Sequence, residues 1–205
     1  MLPVPGDWAN SSHVTGYWFL NSDEAYEPPA DLANFLTTGE PPVYIGFGSM
    51  ATGDASKTTD LVLNAVRQSR TRAILATGWG GLSELESSEN IYRLKSAPHD
   101  WLFPRCSAVV HHGGAGTTGA GLRAGKPTVI CPFFGDQPFW GKQVYKLGAG
   151  PKPIPQKRLS VDKLRRSILE ATSNERMRQS ADAIGKQIRA ENGVAQATEI
   201  IKRYV

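Results

Sequence analysis

Residues 107–137 read SAVVHHGGAGTTGAGLRAGKPTVICPFFGDQ, and this stretch decides the fold. Its first apolar run, AVV at 108–110, has a length that suits a buried strand better than a helix. Two histidines and a glycine-rich turn follow, and the next run ends at Gly125 with Pro127 just beyond it. Glycine and then proline are the usual signals that stop a helix. The stretch therefore predicts a strand, a tight turn and a helix in direct succession.

The turn between this strand and this helix predicts an anion-binding site. The first N–H groups of a helix have no partner inside the helix, so they face whatever lies above the preceding strand. His112 adds an imidazole directly before the glycines. A diphosphate suits such a group of hydrogen-bond donors.

A second apolar strand is expected at 128–131, and it leads into a loop that ends in Asp136 and Gln137. Consecutive parallel strands place the loops after their C-terminal ends on one edge of the sheet, where open α/β folds bind ligands. A carboxylate or an amide can pair with two neighbouring hydroxyl groups. We therefore expect this second loop to bind a sugar beside the anion site.

The rest of the chain alternates predicted strands and helices without an internal repeat. Further strands are expected at 43–47, 72–77 and 91–94, which predicts an α/β fold with a Rossmann-like parallel sheet and helices on both faces. Residues 1–42 hold six prolines and several aromatic side chains without a sustained period, which is typical of an extended connector. Within it, a short helix is expected at 31–36. We expect the ligand-binding domain to occupy residues 43–205.

The sequence of the last third of the chain predicts helices, and we expect their apolar stripes to pack in the hydrophobic core. Ser160 and Asn174 stand at the starts of two of these helices, where serine and asparagine side chains commonly cap the first turn. Gly193 separates the second of them from a last helix.

The central motifs resemble the nucleotide-sugar signature of inverting UDP-glycosyltransferases of the two-domain GT-B type. The resemblance is closest to the sterol 3-beta-glucosyltransferases, and it rests on HHGGAGTTGAGLRAG at 111–125, PFFGDQ at 132–137 and YIGFGSM at 44–50. It implies that the chain is the C-terminal half, which binds UDP-glucose, of an enzyme that transfers glucose to a sterol or similar lipid hydroxyl. The implied partner is the N-terminal acceptor-binding domain of the same protein.

The resemblance also implies roles for individual residues. His112 would stabilise the leaving diphosphate, and Asp136 and Gln137 would hold the glucose hydroxyls. The other implied contacts to the sugar donor are Gly48, Ser49, Pro98, His99, Gly113, Gly114, Ala115, Gly116, Thr117 and Thr118.

The site departs from the plant-type signature where that signature binds the nucleoside. A tryptophan that stacks on uracil and a glutamate that holds the ribose are replaced here by Ser96 and Ala120. Trp79, which lies between glycines at the end of a predicted strand, is a candidate to stack on the base instead. A role for Trp79 in the core or in a lid is an equal alternative.

The catalytic base of the resembled family belongs to its N-terminal domain. We therefore expect no general base in this chain and no transferase activity from the chain alone. No Asp-x-Asp metal signature is present, so we expect neither a metal nor another cofactor.

Two other classes of protein are alternatives to a transferase. A dinucleotide-binding oxidoreductase is disfavoured because no acidic residue ends the strand after the glycine turn, at 128–131. A stand-alone nucleotide-sugar-binding or partner subunit without catalysis would share every residue named above, and it stays open.

The composition excludes further functions. The 205 residues include 23 Lys or Arg and 19 Asp or Glu, and their net charge of +4 is interspersed, so no block predicts a nucleic-acid-binding arm. No apolar run approaches the roughly 18 residues of a membrane span, so we expect a cytoplasmic protein with peripheral membrane contact at most. Cys106 and Cys131 are expected to be buried free thiols of a reducing compartment.

Overall fold

The computed structural model describes residues 6–9, 11–20, 26–48, 55–77, 82 and 87–204. Its centre is a sheet of five parallel strands in the order β3-β2-β1-β4-β5. The strands are β1 Val43–Gly46, β2 Ala73–Ala76, β3 Ile91–Leu94, β4 Ala108–His111 and β5 Thr128–Ile130. The predicted parallel α/β fold is confirmed, and each predicted strand lies within one residue of its observed bounds.

Eight α-helices in the described residues surround this sheet. They are α1 Ala30–Thr37, α2 Ala55–Ser69, α3 His99–Leu102, α4 Ala115–Arg123, α5 Gln137–Lys146, α6 Val161–Ser173, α7 Glu175–Ala190 and α8 Gly193–Ile201. The predicted caps of α6 and α7 are confirmed, because side-chain oxygens of Ser160 and Asn174 accept hydrogen bonds from backbone N–H groups in the first turn. Asn192 caps α8 in the same way.

Residues that alternate along the strands build two separate cores, as the period of two in a pleated strand requires. Val43 and Ile45 of β1 face one core, to which α2 and α6 contribute Val62 and Leu164. Tyr44, between them, faces the opposite core, which includes residues of α1 and α3. The sheet is therefore covered on both faces, as predicted.

A third cluster lies on the side of the sheet where α4, α5 and α7 pack. Its buried members are Leu122, Ile130, Val144, Ala149, Ala181 and Ile188. Tyr17 and Phe19, from the predicted connector, pack against this cluster and hold the connector on the domain. Trp8 and Trp18 of the same connector are instead more than half exposed, at 52% and 64%.

Helix α1 also falls inside the predicted connector, but it packs on the sheet. Leu32 and Phe35 are buried in the core that contains Tyr44. The prolines before and after α1 therefore flank a helix that is packed on the domain. The proposed boundary at residue 42 stays a prediction.

Both cysteines are buried free thiols, as predicted. Burial raises the pKa of Cys106 and the pKa of Cys131 to about 12, so both stay protonated. None of the helices in the described part of the chain is long and apolar enough to cross a membrane.

Candidate sugar-nucleotide site

The turns after β1, β4 and β5 lie on one edge of the sheet. Gly46 at the end of β1 pairs in register with His111 at the end of β4, and His111 pairs with Ile130 at the end of β5. Since all three strands are parallel, their C-terminal ends are side by side. The expectation that the glycine turn and the loop leading to Asp136 share one edge is confirmed.

The turn after β4 is fixed by His111 and Gly113. The backbone N–H of Gly113 donates a hydrogen bond of 2.9 Å to Nδ1 of His111, which is fully buried. Gly113 has φ +93°, and a Cβ at this position would lie 2.6 Å from Cγ2 of Ile130. Both its dihedral angle and its surroundings therefore require glycine. The N–H of Gly113 is engaged inside the turn, and its predicted contact with a ligand stays a prediction.

Helix α4 begins directly after this turn, and its first N–H groups have no hydrogen-bond partner inside the helix. Gly114 is the N-cap, and no side chain of a described residue caps the helix. The N–H of Thr118 bonds the carbonyl of Gly114 at 2.9 Å, as does the Thr118 hydroxyl. The N–H groups of 115–117 precede that first bond. Among the described residues, a Cβ on Gly116 would meet no atom within 4 Å, so no described part of the chain packs on this glycine.

His112 lies between the glycine turns that follow β1 and β4. A Cβ on Gly48 would lie 3.4 Å from its Cε1, and a Cβ on Gly114 would lie 2.6 Å from its Nε2. Among the described residues, Nδ1 of His112 is buried and has no hydrogen-bond partner. A buried polar atom without a partner is costly, and a ligand that supplies the partner removes that cost.

Burial lowers the pKa of His112, and the carboxylate of Asp136 partly opposes that shift. The imidazole is therefore neutral at pH 7. A neutral imidazole offers one N–H donor and one acceptor nitrogen. The carboxylate of Asp136 is thus close enough to His112 to act on its charge.

Asp136 and Gln137 differ sharply in their surroundings. Asp136 is exposed, and its Oδ2 accepts a hydrogen bond of 2.8 Å from Nε1 of Trp140. Gln137 is only 5% exposed, and its Oε1 accepts the backbone N–H groups of Phe133 and Phe134 at 2.8 and 3.3 Å. The oxygen of Gln137 thus holds the loop in shape. Its predicted contact with a sugar stays a prediction.

Pro98 and His99 lie where α3 begins, next to the core of the domain. The carbonyl of Pro98 accepts the N–H of Leu102 at 2.9 Å. The ring of His99 stacks on Phe103 at 4.3 Å and meets the edge of Tyr44 at 5.9 Å. Burial lowers the pKa of His99, so this imidazole is also neutral at pH 7. A ligand contact by either residue stays a prediction.

Two predicted contacts, Ser49 and Trp79, lie outside the described residues. Within the described part of the chain, no group of three or more His, Cys, Asp or Glu side chains is arranged to hold a metal ion.

Sequence reasoning missed the contacts by which two residues shape the site, although it expected a structural role for His111. His111 supplies the acceptor for the turn, and its position two residues before Gly113 was the available signal. Trp140 holds Asp136, and the spacing of four residues on one helix was the available signal.

Residues 61–205 match the profile of the erythromycin biosynthesis protein CIII-like C-terminal domain. The chain belongs to this family. It is 45% identical to sterol 3-beta-glucosyltransferase UGT80A2 and 46% identical to UGT80B1, both of Arabidopsis thaliana, over 100% of its length. It covers 32% and 34% of those two proteins, so it spans about a third of their length. The resemblance seen in the central motifs is confirmed.

Solved structures of glycosyltransferases share the fold. The glycotransferase of kitacinnamycin superposes with a TM-score of 0.73 at 22% identity, over 93% of this chain and 48% of that one. Os79 of O. sativa, solved with U2F and trichothecene, gives 0.74 at 16% identity, over 88% and 46%. The five-stranded domain thus has the fold of about half of each of these two chains.

The spacing of Gly114, Gly116 and Gly119 also fits the G-x-G-x-x-G pattern of dinucleotide-binding turns. Glycine spacing alone therefore does not separate the two classes of protein. The family match separates them, and it agrees with the lack of an acidic residue at the end of β5.

Proposed function

We propose that this chain is the UDP-glucose-binding half of an inverting glycosyltransferase that transfers glucose to a sterol or similar lipid hydroxyl. One observation carries the proposal: the imidazole of His112, whose buried Nδ1 has no partner among the described residues, lies beside Gly114, the N-cap of α4. The imidazole and the free N–H groups at the start of α4 both favour a ligand rich in acceptor oxygens, and a diphosphate is such a ligand.

The leaving diphosphate would bind the N–H groups of 115–117, the hydroxyl of Thr117 and the imidazole of His112. As the glycosidic bond breaks, negative charge builds up on the phosphate oxygen that leaves. Donors that are already fixed in place stabilise this charge with little reorganisation. Thr118 would act indirectly, because its hydroxyl is bonded to Gly114 within the helix.

The sugar would lie over the loop after β5, where the exposed carboxylate of Asp136 meets it. Glucose and a sterol acceptor are supported by the names of the curated relatives, which are sterol 3-beta-glucosyltransferases. A uridine nucleotide is supported by a structural neighbour, UGT89C1 of Arabidopsis thaliana, whose structure is a complex with UDP; it has a TM-score of 0.66 and 23% identity.

We also propose that the catalytic base comes from a second, N-terminal domain. A base must come within hydrogen-bond reach of the acceptor hydroxyl. His111 is fully buried and His99 is stacked on Phe103, so neither presents an accessible base. The greater length of the curated relatives leaves room for such a domain.

Calorimetry on the chain with UDP, UDP-glucose, UDP-galactose and NAD, in the presence of EDTA, tests the proposal. UDP and UDP-glucose should bind without metal, and NAD should not compete. His112→Ala should weaken UDP and UDP-glucose alike. His13→Ala is the matched control, because His13 is exposed in the connector. The proposal fails if UDP does not bind, if EDTA abolishes binding, or if NAD binds more tightly than UDP.

A further inference from the structure

Trp140 holds the carboxylate of Asp136 from one turn further along α5. Its indole Nε1 donates a hydrogen bond of 2.8 Å to Oδ2 of Asp136. The carboxylate makes no capping bond to the helix it precedes. Among the described residues, the indole of Trp140 is therefore the hydrogen-bond partner of the Asp136 side chain.

The ring of Trp140 is itself supported from the core side. It is half-buried and packs against the cluster that contains Leu122, Ile130 and Val144. Tyr17 of the connector lies against it with ring centroids 6.4 Å apart, and Phe139 meets it edge-on at 5.3 Å. A ring held on several sides keeps its single N–H in a fixed place.

A fixed donor changes what an exposed carboxylate can do. A free aspartate on the surface samples several rotamers, and a ligand that needs one of them must oppose that freedom. With Oδ2 bound to the indole, the direction of Oδ1 is set as well. A carboxylate prearranged in this way binds one arrangement of hydroxyl groups better than others.

We propose that Trp140 is the positioning residue that sets sugar recognition, by orienting Asp136 toward the hydroxyl groups of the hexose. This inference rests on the proposed function, because it presumes that the sugar of a nucleotide sugar lies over Asp136. Trp140 acts through Asp136 and touches no reacting atom. It has no part in binding the diphosphate.

Calorimetry on the 205-residue chain, with a double-mutant cycle of Trp140→Phe and Asp136→Ala, tests this role. Trp140→Phe keeps an aromatic ring and removes the indole N–H. It should raise the Kd for UDP-glucose about five- to tenfold, within the range of one ordinary hydrogen bond, and leave the Kd for UDP unchanged. In the Asp136→Ala background the same change should have no further effect on UDP-glucose.

Trp18→Phe is the matched control. The indole of Trp18 also donates a hydrogen bond, of 2.9 Å to Oγ1 of Thr15, but it lies exposed in the connector. This variant should bind UDP and UDP-glucose as the unsubstituted chain does. A general effect of losing an indole N–H would appear in both variants and would overturn the inference.

The two hypotheses fail in different ways. If the chain does not bind UDP, the proposed function and this inference both fall. If UDP and UDP-glucose bind, and Asp136→Ala weakens UDP-glucose alone, but Trp140→Phe changes nothing, then only the inference is wrong. Equal weakening of UDP and UDP-glucose by Trp140→Phe would show a merely structural role and would also overturn it.

A second measurement needs no substitution at Trp140. The five tryptophans give separate indole N–H signals in a ¹H–¹⁵N NMR spectrum of the chain. Asp136→Ala should shift one of them strongly, which assigns Trp140. UDP-glucose should move that signal, and UDP should leave it in place. If UDP-glucose leaves this indole signal unshifted, the inference is contradicted, even where Trp140→Phe does not fold.

Discussion

The N–H of Gly113 and Nδ1 of His111 form a buried hydrogen bond of 2.9 Å that ties the glycine turn to the end of β4. This bond makes Nδ1 an acceptor, so the proton of the neutral ring is on Nε2. Nε2 is buried and has no partner among the described residues. Protonation of His111 would also put a second proton where the N–H of Gly113 now points. The turn therefore depends on a neutral His111.

His111 should make folding sensitive to acid. Burial, with smaller contributions from His112 and His99, lowers the pKa of His111 to about 3, whereas an unfolded histidine has a pKa of about 6.5. The unfolded chain thus binds more protons between those values. The stabilisation is complete above about pH 6.5 and is lost as the pH falls toward about 3.

His111→Asn tests this dependence, because the amide oxygen of asparagine can accept the N–H of Gly113 but does not titrate. Between pH 7 and pH 5 the variant should lose about 1–2 kcal/mol less unfolding free energy than the unsubstituted chain. Urea unfolding at the two pH values measures the difference. An identical loss in both proteins would assign the acid sensitivity to other groups, such as His99 and His112.

Two glycines of α4 should respond in opposite ways to alanine. A Cβ on Gly119 would lie 2.6 Å from the Tyr17 ring, whereas a Cβ on Gly116 would meet nothing within 4 Å in the part of the chain that the structure describes. Gly119→Ala should lower the free energy of unfolding by about 1–3 kcal/mol, because Tyr17 must move off the helix. Gly116→Ala should leave it unchanged or raise it by up to about 1 kcal/mol, since alanine is the better helix former.

The two variants should differ in the opposite sense in their affinity for UDP. Gly116 lies at the proposed diphosphate site, so a methyl group there should weaken UDP. Gly119 lies on the connector side, so its variant should keep its affinity for UDP wherever it remains folded. Thermal unfolding and calorimetry on the same two samples give both readouts. If Gly116→Ala binds UDP normally, the phosphates do not approach the first turn of α4.

Much of this architecture could be predicted from local sequence. Short apolar runs gave the strands, and Ser160 and Asn174 gave two helix starts, because such signals act within a few residues. Gly113 and Gly125 marked a turn and a helix end for the same reason. Both have positive φ, at +93° and +70°.

Contacts between distant segments could not be predicted in this way. Tyr17 packs on Gly119, and Leu32 and Phe35 seat on the sheet a short helix that the sequence placed within an extended connector. Gln137 shows the same limit at the site. Its amide oxygen holds the backbone of its own loop, which depends on the loop conformation and has no sequence signature.

The chain alone should not transfer glucose. With His111 buried and His99 stacked, the chain lacks an accessible base among its described histidines near the site. Incubation with radiolabelled UDP-glucose and sterol-containing vesicles should give no glucosylated sterol above a blank without protein. Glucosylated sterol above the blank would contradict this prediction. If that turnover is lost in His112→Ala and also in His111→Asn, this chain contains a base of its own.

The affinity for UDP-glucose should rise as the pH falls below neutral, because of His112. Burial lowers the pKa of this residue in the free protein, so it is neutral at pH 7. A bound diphosphate adds negative charge next to the imidazole and raises its pKa, so the complex takes up a proton that the free protein lacks. By linkage, binding strengthens with acid, by at most about tenfold for each pH unit.

UDP-glucose is the right ligand for this measurement, because neither of its phosphates titrates near neutral pH. Its Kd should fall about three- to tenfold between about pH 7.5 and about pH 5.5 in the unsubstituted chain. The profile should be flat in His112→Gln. Circular dichroism at each pH separates binding from the acid sensitivity of folding. Because the Asp136 carboxylate raises the pKa of His112, Asp136→Asn should move the rise in affinity to lower pH. A profile that is unaltered in His112→Gln would remove His112 from the diphosphate site.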